Sequence, residues 1–199
     1  MIKDNSRFQQ QLAFVRELDK LKTVFRQTYL LDASRKENDA EHSWQIALMA
    51  VLFEEYADER NLDMLAVVKM LLLHDVIEVH AGDTYIYDEE SKKTQSLRER
   101  RAATKVFGAL PGEQEREFRA LWEDFETGVS GEARFARAID RFQPLLHNYL
   151  TDGKAWKEHG VKAGSVRNIN EKIKDGSLAL WEYAEGLIAG AVAGGYLEE

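Results

Sequence analysis

Proline is scarce in this chain, and its apolar residues recur at helical spacing over long stretches. Two prolines occur in 199 residues, and alternating runs of β-branched residues are few. Apolar residues recur at intervals of three or four, beginning with Leu12, Val15 and Leu18. This spacing places them on one face of a helix, whereas a half-buried strand shows strict alternation. The sequence therefore predicts an all-α protein.

The same spacing predicts a series of helices joined by polar turns. Asn38 or Asp39 is placed to cap the second helix. Residues 88–101 are almost wholly charged or polar, which indicates a solvated helix or a surface loop rather than a binding segment. No internal repeat or low-complexity linker divides the chain. The predicted helices span about residues 8–30, 39–53, 63–79, 101–110, 113–125, 132–149 and 169–192.

Composition and charge argue against several classes of function. The formal net charge of -8 argues against a general nucleic-acid binder, which needs a basic face. The absence of cysteine excludes disulfides, thiolate nucleophiles and thiolate-bound zinc. Residues 1–6 carry charge and amide groups where a signal peptide has an apolar core, and no apolar run approaches the roughly 18 residues that span a bilayer. We therefore expect a soluble, cytoplasmic protein with no membrane or nucleic-acid partner.

One apolar helical segment ends in ionisable side chains. Leu71–Leu73 is followed directly by His74 and Asp75, and then by Glu78 and Asp83. Burying an imidazole and a carboxylate at the end of a core helix costs desolvation free energy, and a bound divalent cation compensates for that cost. The sequence therefore predicts a metal site centred on His74 and Asp75.

Two further residues are candidate ligands for such a metal. His42 lies early in the second predicted helix, and Asp140 interrupts the apolar face of a late helix. The simpler interpretations are a hydrogen-bonded core histidine, and a surface ion pair of Asp140 with Arg137 or Arg141. If the four residues converge, two imidazoles and two carboxylates suit one divalent ion: Mn, Co, Fe, Ni or Zn, and Mg less well. Four protein ligands leave positions open for water and substrate, as catalysis requires.

Other charged residues nearby are candidates for the remaining chemistry. Glu78 lies one helical turn beyond the histidine–aspartate pair, and Asp83 follows in a glycine turn, so both are placed to orient water or transfer protons. Arg26 and Arg35 flank the approach to the first histidine and are placed to neutralise a phosphate. The other histidines are assigned to structural or surface positions: His80, His147 and His159.

The order of the candidate ligands resembles the signature of a known superfamily. His42, then His74-Asp75, then Asp140 is similar to the H…HD…D pattern of the HD superfamily of metal-dependent phosphohydrolases. Residues 35–43, RKENDAEHS, resemble the segment around the first histidine of the HD-domain 5'-deoxynucleotidases, and residues 74–83 match their HDxxExxxGD run. The similarity covers most of the first 150 residues, and the tail from 156 to 183 resembles a bacterial branch of uncharacterised HD hydrolases.

The resemblance implies a fold and an activity. The fold is a compact all-α helical domain of the HD type over residues 1–199, with a metal-site core at about 20–150 and a helical extension at about 151–199. The activity is that of an enzyme, commonly a homodimer, that hydrolyses nucleoside 5'-monophosphates and prefers deoxyribonucleotides. Its partner is then a small phosphorylated substrate.

The resemblance also implies roles for individual residues. Glu78 and Asp83 position and activate the attacking water. In the family, an Arg-Trp pair upstream of the first histidine contacts the substrate. The nearest match in this chain is Arg26 with Tyr29, and the missing tryptophan leaves the sugar and base preference open. The metal ligands carried over to this chain are His42, His74, Asp75 and Asp140.

Two alternative functions remain open from the sequence. Other HD proteins cleave phosphodiesters or remove triphosphate from nucleotides, but this chain lacks the additional ligand histidines and the strongly basic pocket that those reactions need. The second alternative is a non-catalytic helical sensor or interaction module that a metal stabilises. Glu78 and Asp83 argue against that module, because a purely structural site does not need them.

Overall fold

Helices make up most of the molecule, and a two-stranded antiparallel sheet joins the first two. The computed structural model describes residues 6–199, except the side chains of residues 89–92. The strands are β1 (Phe25–Tyr29) and β2 (Lys36–Asn38). Short 3₁₀ turns cover Leu21–Thr23, Glu54–Tyr56, His74–Ile77 and Glu171–Asp175. The α-helices are α1 (Ser6–Lys20), α2 (Asp39–Leu52), α3 (Met64–Leu73), α4 (Glu78–Ala81), α5 (Glu89–Phe107), α6 (Gly112–Thr127), α7 (Gly131–Leu150), α8 (Lys154–His159), α9 (Ala163–Asn170) and α10 (Leu178–Ala193).

The expected all-α fold is confirmed, but the first predicted helix, at about residues 8–30, is too long. α1 ends at Lys20, a 3₁₀ turn follows, and residues 25–29 form β1. Val24 already has extended backbone angles (φ -91°, ψ 120°), and the β-branched and aromatic residues around it favour a strand. Part of the predicted polar connector forms β2, which places Asn38 opposite Phe25.

Other predicted boundaries also change. The segment at 63–79 leaves the α-helix after Leu73, turns as a 3₁₀ segment and resumes as α4. The polar segment 88–101 and the predicted helix 101–110 are one helix, α5. The predicted helix at 169–192 is interrupted between α9 and α10, where a Cβ atom on Gly176 would lie 2.3 Å from the carbonyl oxygen of Arg134. This close approach of two backbones requires glycine, and it turns the chain.

Side-chain caps fix the starts of the helices that carry the candidate ligands. Asn38 caps α2 through a capping box, in which its side chain accepts from the backbone N–H of Glu41 and the Glu41 carboxylate accepts from the backbone N–H of Asn38. Asp39 is therefore the first residue of the helix and not its cap. Ser130 caps α7 by accepting from the backbone N–H of Ala133.

Helix α7 lies at the centre of the larger of two hydrophobic cores. That core takes fully buried side chains from α2, α3, α7 and α10, including Ile46, Leu71, Ile139 and Ile188. The smaller core joins α1, α5, α6 and the 3₁₀ turn at His74–Ile77. The C-terminal helices thus share one core with the helices that carry the candidate ligands. Within residues 6–199, no helix is long and apolar enough to cross a membrane.

Candidate metal centre and active site

The four predicted metal ligands come from three elements and meet beside α7; we call them the four-residue group. His42 is in α2, His74 and Asp75 begin the 3₁₀ turn after α3, and Asp140 is on α7. The Nε2 atom of His42 lies 3.0 Å from Oδ1 of Asp140. The Nε2 atom of His74 lies 3.0 Å from Oδ2 of Asp75 and 3.5 Å from Oδ1 of Asp140. Both imidazoles are buried, whereas 21% of the Asp140 side chain is exposed.

Hydrogen bonds determine which nitrogen of each imidazole faces the carboxylates. Nδ1 of His74 lies 2.8 Å from the carbonyl oxygen of Leu71, which can only accept, so Nδ1 carries the proton of the neutral ring. Nδ1 of His42 lies 3.2 Å from Oε1 of Gln143, whose Nε2 donates to Glu37. In the neutral rings, both Nε2 atoms therefore present lone pairs to carboxylate oxygens. Such atoms repel at 3.0 Å unless a proton or a cation lies between them, so the donor set fits a metal ion.

The electrostatics of the four-residue group favour positive charge at its centre. Burial alone lowers the pKa of His74, but the charges of Asp75 and Asp140 outweigh burial and raise the pKa to about 10. Burial alone raises the pKa of Asp75, but His74 and Arg26 outweigh it and lower the pKa to about 2. The carboxylates therefore remain ionised and attract a cation, which a divalent metal provides without protonating the rings.

A second set of carboxylates, Asp39, Glu78 and Asp83, lies beside the first; we call it the carboxylate trio. Ligand oxygens of the three residues all lie within 4.8 Å of one another. Asp39 is fully buried, and neither of its oxygens accepts a hydrogen bond from the described residues. Burial and the charge of Asp75 raise the pKa of Asp39 to about 7 and that of Glu78 well above its usual range. The trio therefore holds protons near neutral pH or binds a hard cation, which prefers carboxylate oxygens.

The two arginines selected from the sequence have different surroundings. Arg26 extends from β1 with 15% of its side chain exposed, and its Nη1 lies 2.5 Å from Oδ2 of Asp75 and 3.5 Å from Oδ1 of Asp39. Arg35 instead forms a two-pronged ion pair with Glu41, at 2.6 and 2.9 Å, and is about half exposed. The structure brings Arg26 to the four-residue group and engages Arg35 with Glu41 at the surface.

A cleft opens from Asp140 along one side of α7. Residues 26–28 of β1 and residues 83–87 line it together with α7, and Asn170 of α9 also contributes. Arg26, Asp83 and Asp140 belong to both the cleft and the region of the candidate ligands. The cleft therefore borders the four-residue group at Asp140 and the carboxylate trio at Asp83.

The remaining histidines contact carboxylate, amide or carbonyl oxygens. His80 lies 2.9 Å from a carboxylate oxygen of Glu17. His147 is buried, and its Nδ1 lies 3.1 Å from the carbonyl oxygen of Tyr29. His159 contacts Oε1 of Gln27 at 3.1 Å, and its ring lies 4.6 Å from that of Tyr85, which lines the cleft.

Sequence reasoning missed several residues around the site. From the sequence, Asp39 is a candidate helix cap, and nothing in its position next to Asn38 indicates that it is buried. Glu37 and Gln143 are buried polar residues that hold His42. Glu37 belongs to the segment 35–43 that carries the resemblance, but its contact with His42 does not follow from its position there. A charged or amide residue on an otherwise apolar helix face is the one available signal, and Gln143 meets it on α7.

The fold and the site define an all-helical protein with a buried histidine–aspartate centre of metal-binding type. The family model of the HD domain matches residues 18–181, which is most of the chain. This chain belongs to the HD domain family.

Solved structures of similar fold include two bacterial proteins. The crystal structure of a predicted metal-dependent phosphohydrolase from Magnetospirillum magnetotacticum MS-1 is 49% identical and covers all of both chains with a TM-score of 0.94. An HD-domain phosphohydrolase from Listeria innocua is 16% identical, covers 92% of this chain and 90% of that chain, and has a TM-score of 0.67. The second likeness concerns the fold alone.

Similar curated proteins carry the name 5'-deoxynucleotidase. The 5'-deoxynucleotidase HDDC2 of Homo sapiens is 31% identical over 136 residues, which are 68% of this chain and 65% of the human protein. The protein of the same name from Dictyostelium discoideum is 27% identical over 143 residues, 69% of this chain and 75% of that protein. The match thus spans slightly less than two thirds of the human relative.

Proposed function

We propose that this protein is a divalent-metal-dependent phosphohydrolase that releases phosphate from nucleoside 5'-monophosphates, deoxyribonucleotides above all. The four-residue group is the observation that carries the proposal: donor atoms of His42, His74 and Asp140 all lie within 4.8 Å of one another, and Oδ2 of Asp75 lies 3.0 Å from Nε2 of His74. The name of the 49% identical relative supports metal-dependent phosphohydrolysis, and the names of the curated relatives support a nucleotide substrate.

The proposed metal is one divalent ion: Mn, Co, Fe, Ni, Zn or Mg. When bound, it polarises the phosphate and lowers the pKa of a coordinated water. The carboxylate trio remains available in this proposal for proton transfer. The proposed ligands are His42, His74, Asp75 and Asp140.

In this proposal, side chains of the protein bind the phosphate and transfer the protons. Arg26 lies between the cleft and Asp75, so its guanidinium is placed to bind the phosphate oxygens. Burial raises the pKa of Asp83, which makes its carboxylate a better proton acceptor. Asp83, helped by Glu78, aligns the water and takes its proton as the water oxygen attacks phosphorus. The bond from phosphorus to the 5'-oxygen breaks, and that oxygen takes a proton from the carboxylate trio, where burial raises the pKa of Glu78 and keeps it protonated, and leaves as the nucleoside hydroxyl.

Arg35 has no place in this mechanism, contrary to the expectation from the sequence. Its guanidinium is held by Glu41, and Arg35 is not part of the cleft lining.

We also propose a homodimer located in the cytoplasm, where nucleotides are abundant. The supporting observation for the dimer is a row of large apolar side chains that α2 and α3 leave exposed. This exposed row, which we call the α2–α3 face, comprises Trp44, Leu48, Val51, Leu52, Leu65 and Leu72. Apolar side chains grouped in this way are typical of an interface.

Phosphate release from a panel of nucleotides tests the proposed activity. The metal-depleted protein is incubated with deoxyribonucleoside and ribonucleoside monophosphates, with deoxyribonucleoside triphosphates and with a cyclic nucleotide, each with and without added Mn, Co or Mg. We expect metal-dependent release from monophosphates. Release of pyrophosphate or triphosphate, or cleavage of a phosphodiester alone, would favour the other HD activities. Metal binding without release from any of these would favour the non-catalytic module.

Two substitutions separate binding of the metal from chemistry. His74→Ala removes a proposed ligand, so we expect loss of both metal binding and turnover. Asp83→Ala leaves the four-residue group intact, so we expect metal binding to remain while kcat falls by about 10²- to 10⁴-fold. Metal content and kcat are measured on the same samples, and full activity of the Asp83 variant would remove Asp83 from the mechanism.

A further inference from the structure

Several residues that line the cleft carry a buried polar atom that has no hydrogen-bond partner in the part of the chain that the structure describes. Buried polar groups are satisfied almost everywhere in folded proteins, and exceptions require an explanation. Four of these atoms belong to residues of the cleft beside α7. They are Nε of Arg26, the hydroxyl of Tyr85, Nε of Arg141 and Oδ1 of Asn148. Their grouping indicates that the cleft is prepared for a polar ligand.

Asn148 is the most deeply buried of these residues, with 7% of its surface exposed. Its Nδ2 donates to the carbonyl oxygen of Pro144 at 2.8 Å. That carbonyl oxygen can only accept, so it fixes which end of the amide carries the NH₂ group. The remaining atom, Oδ1, is therefore an acceptor, and its natural partner is a ligand N–H or O–H group.

The side chains that α7 contributes to the cleft differ in chemical character along the helix. Asp140 and Arg141 are charged, Pro144 and Leu145 one turn later are apolar, and Asn148 one turn further is an amide. Eight residues of helix separate Asp140 from Asn148, which is about 12 Å along the axis. This sequence of charged, apolar and amide positions matches the phosphate, sugar and base of one mononucleotide laid along the helix.

We propose that Asn148 binds the nucleobase, with its Oδ1 accepting a hydrogen bond from a base N–H group while the phosphate lies at Asp140 and Arg26. This inference rests on the proposed function and deepens it. Each common base has an N–H donor on its pairing edge, so a single acceptor at Asn148 favours nucleotides over phosphate esters without a base. It does not select strongly among the bases.

The experiment compares thymidine 5'-monophosphate with its N3-methyl analogue, which lacks the N–H donor, and with deoxyribose 5-phosphate, which lacks the base. The proteins are the wild type, Asn148→Leu and the control Asn168→Leu, which changes an exposed asparagine of α9 outside the cleft. For the wild type, we expect N3-methylation to raise KM by about three- to tenfold, the effect of one lost hydrogen bond. Asn148→Leu should raise KM for the unmodified nucleotide by a similar factor, with kcat nearly unchanged.

Comparing the variants on all three substrates distinguishes a contact of Asn148 with the base from any other role of Asn148. We expect Asn148→Leu to leave KM for the N3-methyl analogue and for deoxyribose 5-phosphate unchanged, and Asn168→Leu to change nothing. An equal rise in KM for deoxyribose 5-phosphate would assign the contact to a sugar hydroxyl and overturn the proposal. The proposal would also be overturned if the wild type had the same KM for thymidine 5'-monophosphate and its N3-methyl analogue. This comparison uses the wild type alone, so it does not depend on whether the variant folds. Failure to release phosphate from any monophosphate would instead refute the proposed function and this inference together.

Discussion

Arg26 and Arg35 have the same side chain and lie nine positions apart in the chain, but their surroundings differ. Arg26 is mostly buried against Asp75, and Arg35 lies at the surface against Glu41. Arg26→Gln should lower kcat/KM for a nucleoside monophosphate by about 10- to 100-fold, because a charge-assisted bond to phosphate is lost. Arg35→Gln is the matched control and should leave kcat/KM within about twofold. Steady-state kinetics check this, and equal losses in the two variants would contradict the assignment.

Asp39 makes the stability of the metal-free protein depend on pH. Burial and the charge of Asp75 raise its pKa from 3.8 to about 7. The folded protein then binds more protons than the unfolded chain over that range, so stability falls as pH rises from about 4 to about 7. Asp39→Asn removes this loss, which is at most about 4 kcal/mol. The advantage of the variant in Tm should therefore grow across the same range.

Thermal unfolding with chelator at several pH values measures that advantage. The control is Asp19→Asn, which changes a carboxylate with 72% of its side chain exposed. Its plot of Tm against pH should run parallel to that of the wild type. If the curve of Asp39→Asn also runs parallel to that of the wild type, Asp39 is ionised throughout and the predicted pH dependence is wrong.

The sequence predicted residues of the site to different degrees. His74, Asp75, Glu78 and Asp83 stand together in the chain, so local pattern and resemblance identify them at once. The sequence does not identify Asp39 as a site residue, because acidic residues are common in the first turn of a helix. Its burial arises from Arg26, Glu78 and Asp83 converging on it in three dimensions, which spacing alone does not reveal.

At the scale of elements, the capping box of α2 supports both the helix and the site. Asn38→Ala should lower the free energy of unfolding by about 1 kcal/mol, as for other caps. It should also weaken metal affinity, because Asn38 joins Glu37 of β2 to the first turn of α2, which carries His42. Ser177→Ala is the control: Ser177 caps α10 and belongs to neither candidate set.

Calorimetric metal titration and thermal unfolding of both variants separate the two effects. We expect comparable losses of stability and a loss of metal affinity for Asn38→Ala alone. Unchanged metal affinity in Asn38→Ala would show that the cap does not position His42.

Helices with a clear apolar face were predicted to within two residues. The predicted 113–125 and 132–149 correspond to α6 (Gly112–Thr127) and α7 (Gly131–Leu150). β1 was missed because its stability comes from pairing with β2 rather than from its own periodicity. The break before α10 was missed because it depends on the contact of Gly176 with Arg134, two residues far apart in sequence.

For the whole molecule, the α2–α3 face makes oligomeric state testable. Trp44 is 65% exposed, and Trp44→Glu places a charge in the proposed interface. We expect this variant to sediment as a monomer at concentrations where the wild type is a dimer, because burying the charge is costly. Val129→Glu alters an exposed apolar residue in a turn and should remain dimeric. A monomeric wild type would refute the proposed dimer.

We further propose that residues 1–199 form a single domain. Helices α8–α10 share the larger core with α2, α3 and α7. Calorimetric unfolding should therefore show one cooperative transition, and a separate transition for residues 151–199 would contradict the proposal.

Pro144 gives α7 a mechanical property that its neighbours do not share. Proline has no N–H, so the carbonyl oxygen of Asp140 lacks the backbone bond that would otherwise close that turn of the helix. A helix bends most easily where its ladder is interrupted, and this interruption lies between Asp140 and Asn148. His42 and His74 lie on other elements and need not follow such a bend. Bending at this point would change the distance between Asp140 and Asn148, and with it the separation of the proposed phosphate and base contacts, while the imidazoles stay in place.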